Sequence, residues 1–200
     1  MAIVYSQLLP SGIFEVHNSK PNLLLKRVKQ THSADVVLCS QYPEENEILA
    51  EADALIDQDK KHILAILTAD CIPVLFLGER GNAFVHAGWM GVKNQISLNS
   101  KIQDCRPHTI FLGPHIRANS FEVQPDFKTH FNEEKYYFQK NQKLFFDLTA
   151  KLISDLKIQY PKAKIIDSEI NTFTDERFHS YRRNKTVLRN WNVFIPRETR

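Results

Sequence analysis

Three residues of the sequence could bind a metal ion or carry nucleophilic chemistry. His32 follows a Gln-Thr pair, Cys71 follows Asp70 between two apolar runs, and His86 precedes a turn that reads Ala-Gly-Trp-Met-Gly. One thiolate and two imidazoles suit Zn²⁺ and leave its fourth position for water or substrate, as in catalytic zinc sites. Their spacing matches no compact zinc signature, so residue types alone make this triple only one candidate among several.

The same residues allow simpler interpretations. A free cysteine is often a small buried hydrophobic residue, and a histidine at the end of a strand is more often structural. A Cys71–His86 pair could also act without metal, the thiolate as nucleophile and the imidazole as its base. Asp70 is either a proton shuttle or a residue that fixes a turn. The residues by themselves leave these alternatives open.

Short β-rich runs must position these side chains. Polar or glycine-containing turns separate them, which is typical of strands. The predicted strands cover residues 34–39, 52–56, 63–67, 72–77, 83–86, 108–112 and 191–195. Two of these, 63–67 and 72–77, are almost entirely apolar, and we expect them to be covered on both faces.

Two segments carry helical patterns. A helix is predicted over 92–102, after the glycine-containing turn. Another is predicted over 144–156, where Phe145, Leu148 and Leu152 lie on one apolar stripe. Strands and helices alternate without a regular βαβ rhythm. The sequence therefore predicts a single α+β domain over residues 1–200, with mixed β-sheets flanked by helices.

Composition excludes several classes of protein. A hydrophobic share of 42% and mixed charges of 24% indicate a packed globular chain rather than a disordered one. The net charge of +3 is too small and dispersed for a nucleic-acid binder. No run approaches the ~20 apolar residues of a membrane span, and no signal peptide is visible. Three cysteines do not suggest disulfides, so we expect a cytoplasmic protein with reduced thiols.

Ordered segments from about residue 25 to residue 190 read QTHSADVV, ADALIDQ, LTADCIPVLF, VHAGWMG, FLGPHIRANSFEV and SYRRN. They closely resemble the polyphenol oxidase/laccase-domain family of the YfiH type. The resemblance implies an α+β fold shared with cytotoxic-necrotizing-factor deamidases. It also implies a zinc-dependent enzyme that cleaves adenosine, inosine, guanosine or methylthioadenosine with phosphate and can deaminate adenosine. His32, Cys71 and His86 would be the zinc ligands, and Asp70, Cys71 and His86 the catalytic set.

The reaction also needs a phosphate site and a purine site. Backbone N–H groups of the turn at Gly88 and Trp89 could hold phosphate, and Arg182 and Arg183 could bind it bidentately. Trp89 or Phe121 could stack on a purine. The alternatives are a solvated arginine pair and ordinary core aromatics. Purine nucleoside and phosphate are thus the predicted partners, with no nucleic acid and no membrane.

Several positions depart from the family pattern. The usual Arg-Gly-Gly and Ser-Leu-Asn-Leu segments before the first ligand are missing, Met90 replaces an Arg, and Asn171 replaces a Cys. The segment RRNKTVLR also lacks the usual Gly before its last Arg. Copper is the less expected metal. A blue-copper site usually has a Met as its weak axial ligand, and this chain has only two Met residues, one of them Met1.

Three hypotheses follow. The first is a zinc-dependent purine nucleoside phosphorylase with adenosine deaminase side activity. The second is a metal-free Cys–His hydrolase or deamidase that uses Cys71 and His86. The third is a weakened member that binds nucleosides without turning them over. The sequence does not reveal the preferred nucleoside, and it is silent on the oligomeric state.

Overall fold

A computed structural model describes residues 2–197. Its strands are β1 (Ile3–Leu9), β2 (Gly12–His17), β3 (Leu25–Lys29), β4 (Val36–Leu38), β5 (Ile48–Glu51), β6 (Ala54–Asp57), β7 (Ile63–Thr68), β8 (Ile72–Gly78), β9 (Asn82–Ala87), β10 (Pro107–Leu112), β11 (Glu122–Val123), β12 (Tyr137–Lys140), β13 (Lys143–Phe146), β14 (Lys164–Asp167) and β15 (Asn190–Pro196). Strands thus make up most of the regular structure.

Helices are few and short. The α-helices are α1 (Trp89–Lys93), α2 (Ser100–Asp104), α3 (Leu148–Gln159) and α4 (Tyr181–Asn184). Single 3₁₀ turns cover Cys39–Gln41, Ile96–Leu98, Ala118–Ser120, Pro125–Thr129 and Glu134–Tyr136. Between residues 2 and 197, no helix has the length and apolar character needed to cross a membrane.

The strands form two large sheets and one small one. Sheet 1 has the order β1-β2-β15-β7-β3-β5, sheet 2 the order β14-β10-β8-β9-β6-β4, and the small sheet the order β11-β13-β12. Both large sheets are mixed: β3 is parallel to β5 and β7, and β10 is parallel to β14, whereas β8 and β9 are antiparallel. The predicted α+β class with mixed sheets is confirmed.

The two large sheets pack face to face, and the helices cover the far side of sheet 2. Successive residues of a strand point to opposite faces. Along β8, Leu75 and Leu77 enter the core between the sheets, while Val74 and Phe76 join the core beneath the helices. All seven residues of β8 are buried. The prediction that this apolar run is covered on both faces is therefore confirmed.

The predicted helix over 92–102 is wrong as a continuous element. Gln95 adopts a left-handed conformation with φ of 57°, which ends α1 and directs the chain into a 3₁₀ turn. Asn99 then starts α2 by accepting a hydrogen bond from the backbone N–H of Lys101. The segment is therefore two short helices with an irregular turn between them.

The predicted helix over 144–156 begins later than expected. Phe145 lies in β13, where it pairs with Phe138 of β12 and Glu122 of β11. Asp147 caps α3, since its carboxylate accepts a hydrogen bond from the N–H of Ala150 at 2.8 Å. The apolar stripe continued across a strand-to-helix boundary, and only the cap marks the true start.

Candidate metal centre

Three side chains from different parts of sheets 1 and 2 converge at one point. His32 follows the end of β3, Cys71 lies in the turn between β7 and β8, and His86 lies on β9. One ligand atom of each lies within 4.8 Å of the others, and the two imidazole rings meet edge to face with centroids 4.9 Å apart. The structure therefore brings together all three residues that the sequence singled out as metal ligands.

The turn that carries Cys71 is fixed by Asp70. This residue has a backbone φ of 99°, which residues other than glycine rarely adopt. Its buried carboxylate accepts hydrogen bonds from the Thr172 hydroxyl at 2.8 Å and the Arg182 backbone N–H at 2.7 Å. These bonds tie the turn to the C-terminal part of the chain. They give Asp70 a positioning role, and its predicted role as proton shuttle stays a prediction.

Asp53 orients His86. The Nδ1–H of His86 donates to Oδ1 of Asp53 at 2.7 Å, and the His86 backbone N–H donates to the Asp53 carbonyl at 2.8 Å. The other carboxylate oxygen accepts bonds from the backbone N–H groups of Thr31 and Ser33, on either side of His32. One buried carboxylate thus fixes the ring of His86 and the backbone around His32, and it leaves Nε2 of His86 for a metal.

The ionisable side chains of the centre have strongly shifted pKa values. Burial raises the pKa of Cys71, but the positive charge of His86 and hydrogen bonds from both histidines lower it to about 6. Burial lowers the pKa of His86, but the Cys71 thiolate and Asp53 raise it to about 9. Burial also raises the pKa of Asp53, yet hydrogen bonds from His86, Ser33 and Thr31 hold it at about 2. Without a metal, these shifts favour a Cys71 thiolate beside a protonated His86 near neutral pH.

Gly88 leaves room for the sulfur. A Cβ at this position would lie 3.1 Å from Sγ of Cys71 and 3.4 Å from Cδ2 of His32. The position has ordinary extended dihedrals, so the need for glycine here is one of space rather than conformation. Gly88 was predicted to bind phosphate. A side chain here would meet Cys71 and His32, and the predicted phosphate contact stays a prediction.

The donor set fits a borderline-soft divalent cation. A sulfur of lowered pKa and two imidazoles match the ligands of catalytic zinc sites, and the carboxylate behind His86 is the usual outer partner of a ligating histidine. Cys39 and Cys105, by contrast, are buried, and burial raises the pKa of their thiols to about 12 and about 11. Both pack within the hydrophobic core.

A cavity of about 440 Å³ opens over this centre. The three candidate ligands line it together with Tyr181 of α4 and with residues in or next to the strands of sheet 1, including Arg27, Lys29, Gln30, Leu67, Thr68 and Arg189. This volume is within the range of small-molecule sites. The three candidate ligands therefore face a space of the size that small-molecule sites have.

Trp89 and Arg182 line a different groove. Trp89 packs against Phe127 and His130, with ring centroids 5.5 Å and 4.6 Å away. The Arg182 guanidinium lies over Phe121 at 5.3 Å and donates to the Glu122 carbonyl. These side chains border a second, more open groove of about 360 Å³. Their predicted contacts with purine and phosphate stay predictions.

Arg183 is engaged with the backbone. Its Nη1 donates to the carbonyls of Thr172 and Phe173, and its Nη2 donates to the carbonyl of Phe178. These bonds hold the chain before α4 in place. The structure thus gives Arg183 a structural role, and its predicted binding of phosphate stays a prediction.

Several residues at this site were missed from sequence. Asp53 lies in the ADALIDQ segment, and its one signal was a carboxylate directly before a buried strand. Tyr181 stands beside the arginine pair in SYRRN. Arg27 and Lys29 are two residues apart on the strand before His32, and residues two apart in a strand lie on the same face of the sheet. None of these sequence features identifies a site residue unless the order of the strands in the sheets is known.

The fold and the site define an α+β protein with a His-Cys-His metal-type centre below a cavity. Residues 14–195 match the family described as multi-copper polyphenol oxidoreductase laccase. The chain belongs to this family.

Relatives and solved structures agree with this assignment. The chain is 32% identical over 145 residues to an Aquifex aeolicus protein named purine nucleoside phosphorylase, covering 70% of this chain and 68% of the relative. It is 30% identical over 185 residues to a Clostridium acetobutylicum protein with the same name, covering 85% and 76%. A Neisseria meningitidis crystal structure superposes with a TM-score of 0.75 at 28% identity, covering 88% and 76%. YlmD from Geobacillus stearothermophilus gives a TM-score of 0.75 at 21% identity, covering 88% and 74%.

Proposed function

We propose that this chain is a zinc-dependent purine nucleoside phosphorylase with adenosine deaminase side activity. The observation that carries the proposal is the convergence of His32, Cys71 and His86, backed by Asp53, at a cavity of about 440 Å³. The names of the relatives at about 30% identity support the nucleoside substrate.

In phosphorolysis a phosphate oxygen forms a bond to C1′ of the ribose while the C1′–N9 bond breaks. The purine leaves with a proton, and ribose 1-phosphate is the other product. Deamination of adenosine takes up one water and releases ammonia and inosine. The substrates expected from the family are adenosine, inosine, guanosine and methylthioadenosine.

His32, Cys71 and His86 would hold the zinc. When bound, zinc supplies a Lewis acid with one position left for water or substrate. By accepting the Nδ1 proton, Asp53 would hold the ring of His86 with Nε2 turned toward the metal, which displaces the proton of Nε2 when it binds. Tyr181, half exposed at the cavity mouth, offers a ring on which a purine can stack. The role of the protein is thus to position a purine nucleoside over the three ligands.

The proposal names zinc rather than copper. A multicopper enzyme holds several copper ions, and within residues 2–197 the His, Cys, Asp and Glu side chains form a single group with metal-binding geometry. Metal analysis of purified protein decides the point. One zinc per chain, with no bound copper, is the expected result.

The test of the proposed function is an incubation of zinc-loaded protein with adenosine, with and without phosphate, followed by chromatography. Adenine that appears only with phosphate establishes phosphorolysis, and inosine establishes deamination. His86→Ala should abolish zinc binding and both products. Full activity in metal-free protein would contradict the proposal. Bound adenosine with neither product would leave a nucleoside-binding protein.

A second candidate is a metal-free Cys–His hydrolase or deamidase. One observation favours it: the Cys71 thiolate is paired with the His86 imidazolium, and Asp53 lies behind the imidazole ring. This arrangement is that of a nucleophile, its base and a carboxylate that orients the base. Rapid labelling of Cys71 in fully active, zinc-free protein would support this function. Protection of Cys71 by zinc with gain of activity would exclude it.

A further inference from the structure

One side of the cavity above the metal centre is cationic. Arg27 and Lys29 are two residues apart on β3 and so share one face of sheet 1, and Arg189 directly precedes β15 of the same sheet. All three line the same cavity as His32, Cys71 and His86, and no carboxylate is among the lining residues that the structure describes. The cavity therefore presents positive charge beside the metal ligands.

Arg27 is held in place from behind. Its Nε donates to Oε1 of Glu47 at 2.8 Å, and its guanidinium lies over the ring of Trp191 at 5.5 Å. A guanidinium bonded through Nε keeps its two terminal nitrogens as a pair of parallel donors. This is the arrangement that binds two oxygens of a phosphate group at once.

Lys29 and Arg189 are less constrained. Lys29 pairs with Glu51 at 2.7 Å, but both side chains are about two-thirds exposed, so this pair contributes little stability. Arg189 is exposed and uses Nη1 to donate to the carbonyls of Thr186 and Leu188. Both side chains can therefore reorient toward an anion in the cavity at small cost.

We infer that Arg27, Lys29 and Arg189 form a phosphate-binding site that adjoins the metal centre. The phosphate group comes from one of two sources, free inorganic phosphate or the phosphate ester of a nucleotide. The inference rests on the proposed function for the first source, since a phosphorylase must bind phosphate beside its nucleoside. It moves the anion site away from Arg182 and Arg183, which do not line this cavity.

Direct binding tests this site on the zinc-loaded full chain. Equilibrium dialysis measures binding of radiolabelled inorganic phosphate and, separately, of adenosine 5′-monophosphate to the parent and to Arg27→Gln, Lys29→Gln and Arg189→Gln. Loss of a bidentate arginine contact should weaken binding about tenfold or more, whereas loss of the exposed lysine should weaken it a few-fold. Arg106→Gln is the matched control, because Arg106 is exposed and lies outside the cavity lining.

The two probes distinguish the sources. Weakened binding of inorganic phosphate in the arginine variants, with no change in Arg106→Gln, assigns free phosphate to the site. Weakened binding of the nucleotide, without measurable binding of inorganic phosphate, assigns the ester. Arg27→Gln also removes the contact with Glu47 and could unfold the protein for that reason. In that case Arg189→Gln still tests the site. Unchanged binding of both probes in Arg189→Gln and Lys29→Gln would overturn the inference.

Failure of the inference is separable from failure of the proposed function. If the parent forms adenine with phosphate while the KM for phosphate is the same in parent and variants, the function stands and the site is wrong. If the parent forms no adenine, the dialysis result still decides whether the three cations bind a phosphate group. When both hold, the arginine variants should raise the KM for phosphate and leave the KM for adenosine nearly unchanged.

Discussion

Oδ1 of Asp53 lies 2.7 Å from Nδ1 of His86, and the backbone groups of the same two residues are also hydrogen bonded. The pairing of β6 with β9 places Ala54 opposite Val85, which puts Asp53 beside His86 at the end of the ladder. Both side chains are buried. The orientation of the His86 ring is therefore fixed by one carboxylate.

Replacing this carboxylate should weaken the metal site. In Asp53→Asn the amide cannot serve as the charged acceptor for the Nδ1 proton, so we expect zinc affinity to fall about 10- to 100-fold. Competition with a zinc chelator measures the change. Asp35→Asn is the matched control, because Asp35 is exposed and contacts this region through its backbone carbonyl. Equal affinity in Asp53→Asn and the parent would contradict the role given to Asp53.

Filling the space beside Cys71 should also reduce metal binding. In Gly88→Ala the new methyl group would stand 3.1 Å from Sγ, and crowding of this kind costs about 1–3 kcal/mol. We expect zinc affinity to fall about tenfold or more. Gly81→Ala serves as control, since its Cβ would lie 3.1 Å from the Asp57 carbonyl oxygen, away from the candidate ligands, and should lower the melting temperature with the zinc affinity retained. Undiminished zinc binding in Gly88→Ala would show that the sulfur does not need this space.

The thiols should differ in reactivity. His86 and His32 lower the pKa of Cys71 to about 6 against the effect of burial, whereas burial raises the pKa of Cys39 to about 12. In metal-free protein, iodoacetamide should therefore label Cys71 first, at a rate that rises through about pH 6 and then levels off. Peptide mass spectrometry identifies the labelled residue. Zinc should protect it, and an equal rate of labelling at Cys39 would refute this account.

The sequence allowed good prediction where one local pattern decides the outcome. The apolar run of β8 could only be a strand buried on both faces, and His32, Cys71 and His86 were identified by residue type together with the family resemblance. Asp53 and Arg27 could not be found in that way, because their roles depend on which strands are neighbours. Strand order is set by contacts between residues distant in sequence, and one chain does not display them.

The helix errors have a different origin. The apolar spacing through Phe145 fits a helix as well as a strand followed by a helix, and pairing of β13 with two neighbours decides in favour of the strand. At Gln95 the left-handed conformation breaks a pattern that continues in the sequence. In both places tertiary packing overrides a local periodicity, which is a general limit on reading elements from one sequence.

A buried histidine outside the metal centre should make stability depend on pH. Nδ1 of His115 donates to the Gly113 carbonyl, while Nε2 accepts from Thr149 and from Arg117, so the ring is neutral. Burial, and then the charge of Arg117, lower the pKa of His115 from 6.5 to about 4. Between pH 4 and pH 6.5, His115 is therefore protonated in the unfolded chain and neutral in the folded chain. The contribution to stability is complete above about pH 6.5 and is lost as the pH falls toward 4, by up to about 3 kcal/mol.

Urea unfolding at about pH 7 and about pH 5 measures this dependence. His115→Gln should be less stable than the parent at about pH 7 but should lose less stability on acidification. His108→Gln is the matched control, since His108 is exposed on the same strand, β10. An identical pH dependence in His115→Gln and the parent would rule out His115 as its source.

The position of β15 within sheet 1 has a consequence for synthesis of the protein. This strand lies between β2 and β7, with Asn190 opposite Thr68 and Trp191 opposite Leu67. His32, Cys71 and His86 all leave the ribosome more than a hundred residues before β15, the strand that completes sheet 1. Until then β2 and β7 have open edges and an apolar face, which are the features that make nascent chains aggregate or recruit chaperones. The wall of the cavity that Tyr181 and Arg189 supply is therefore added last.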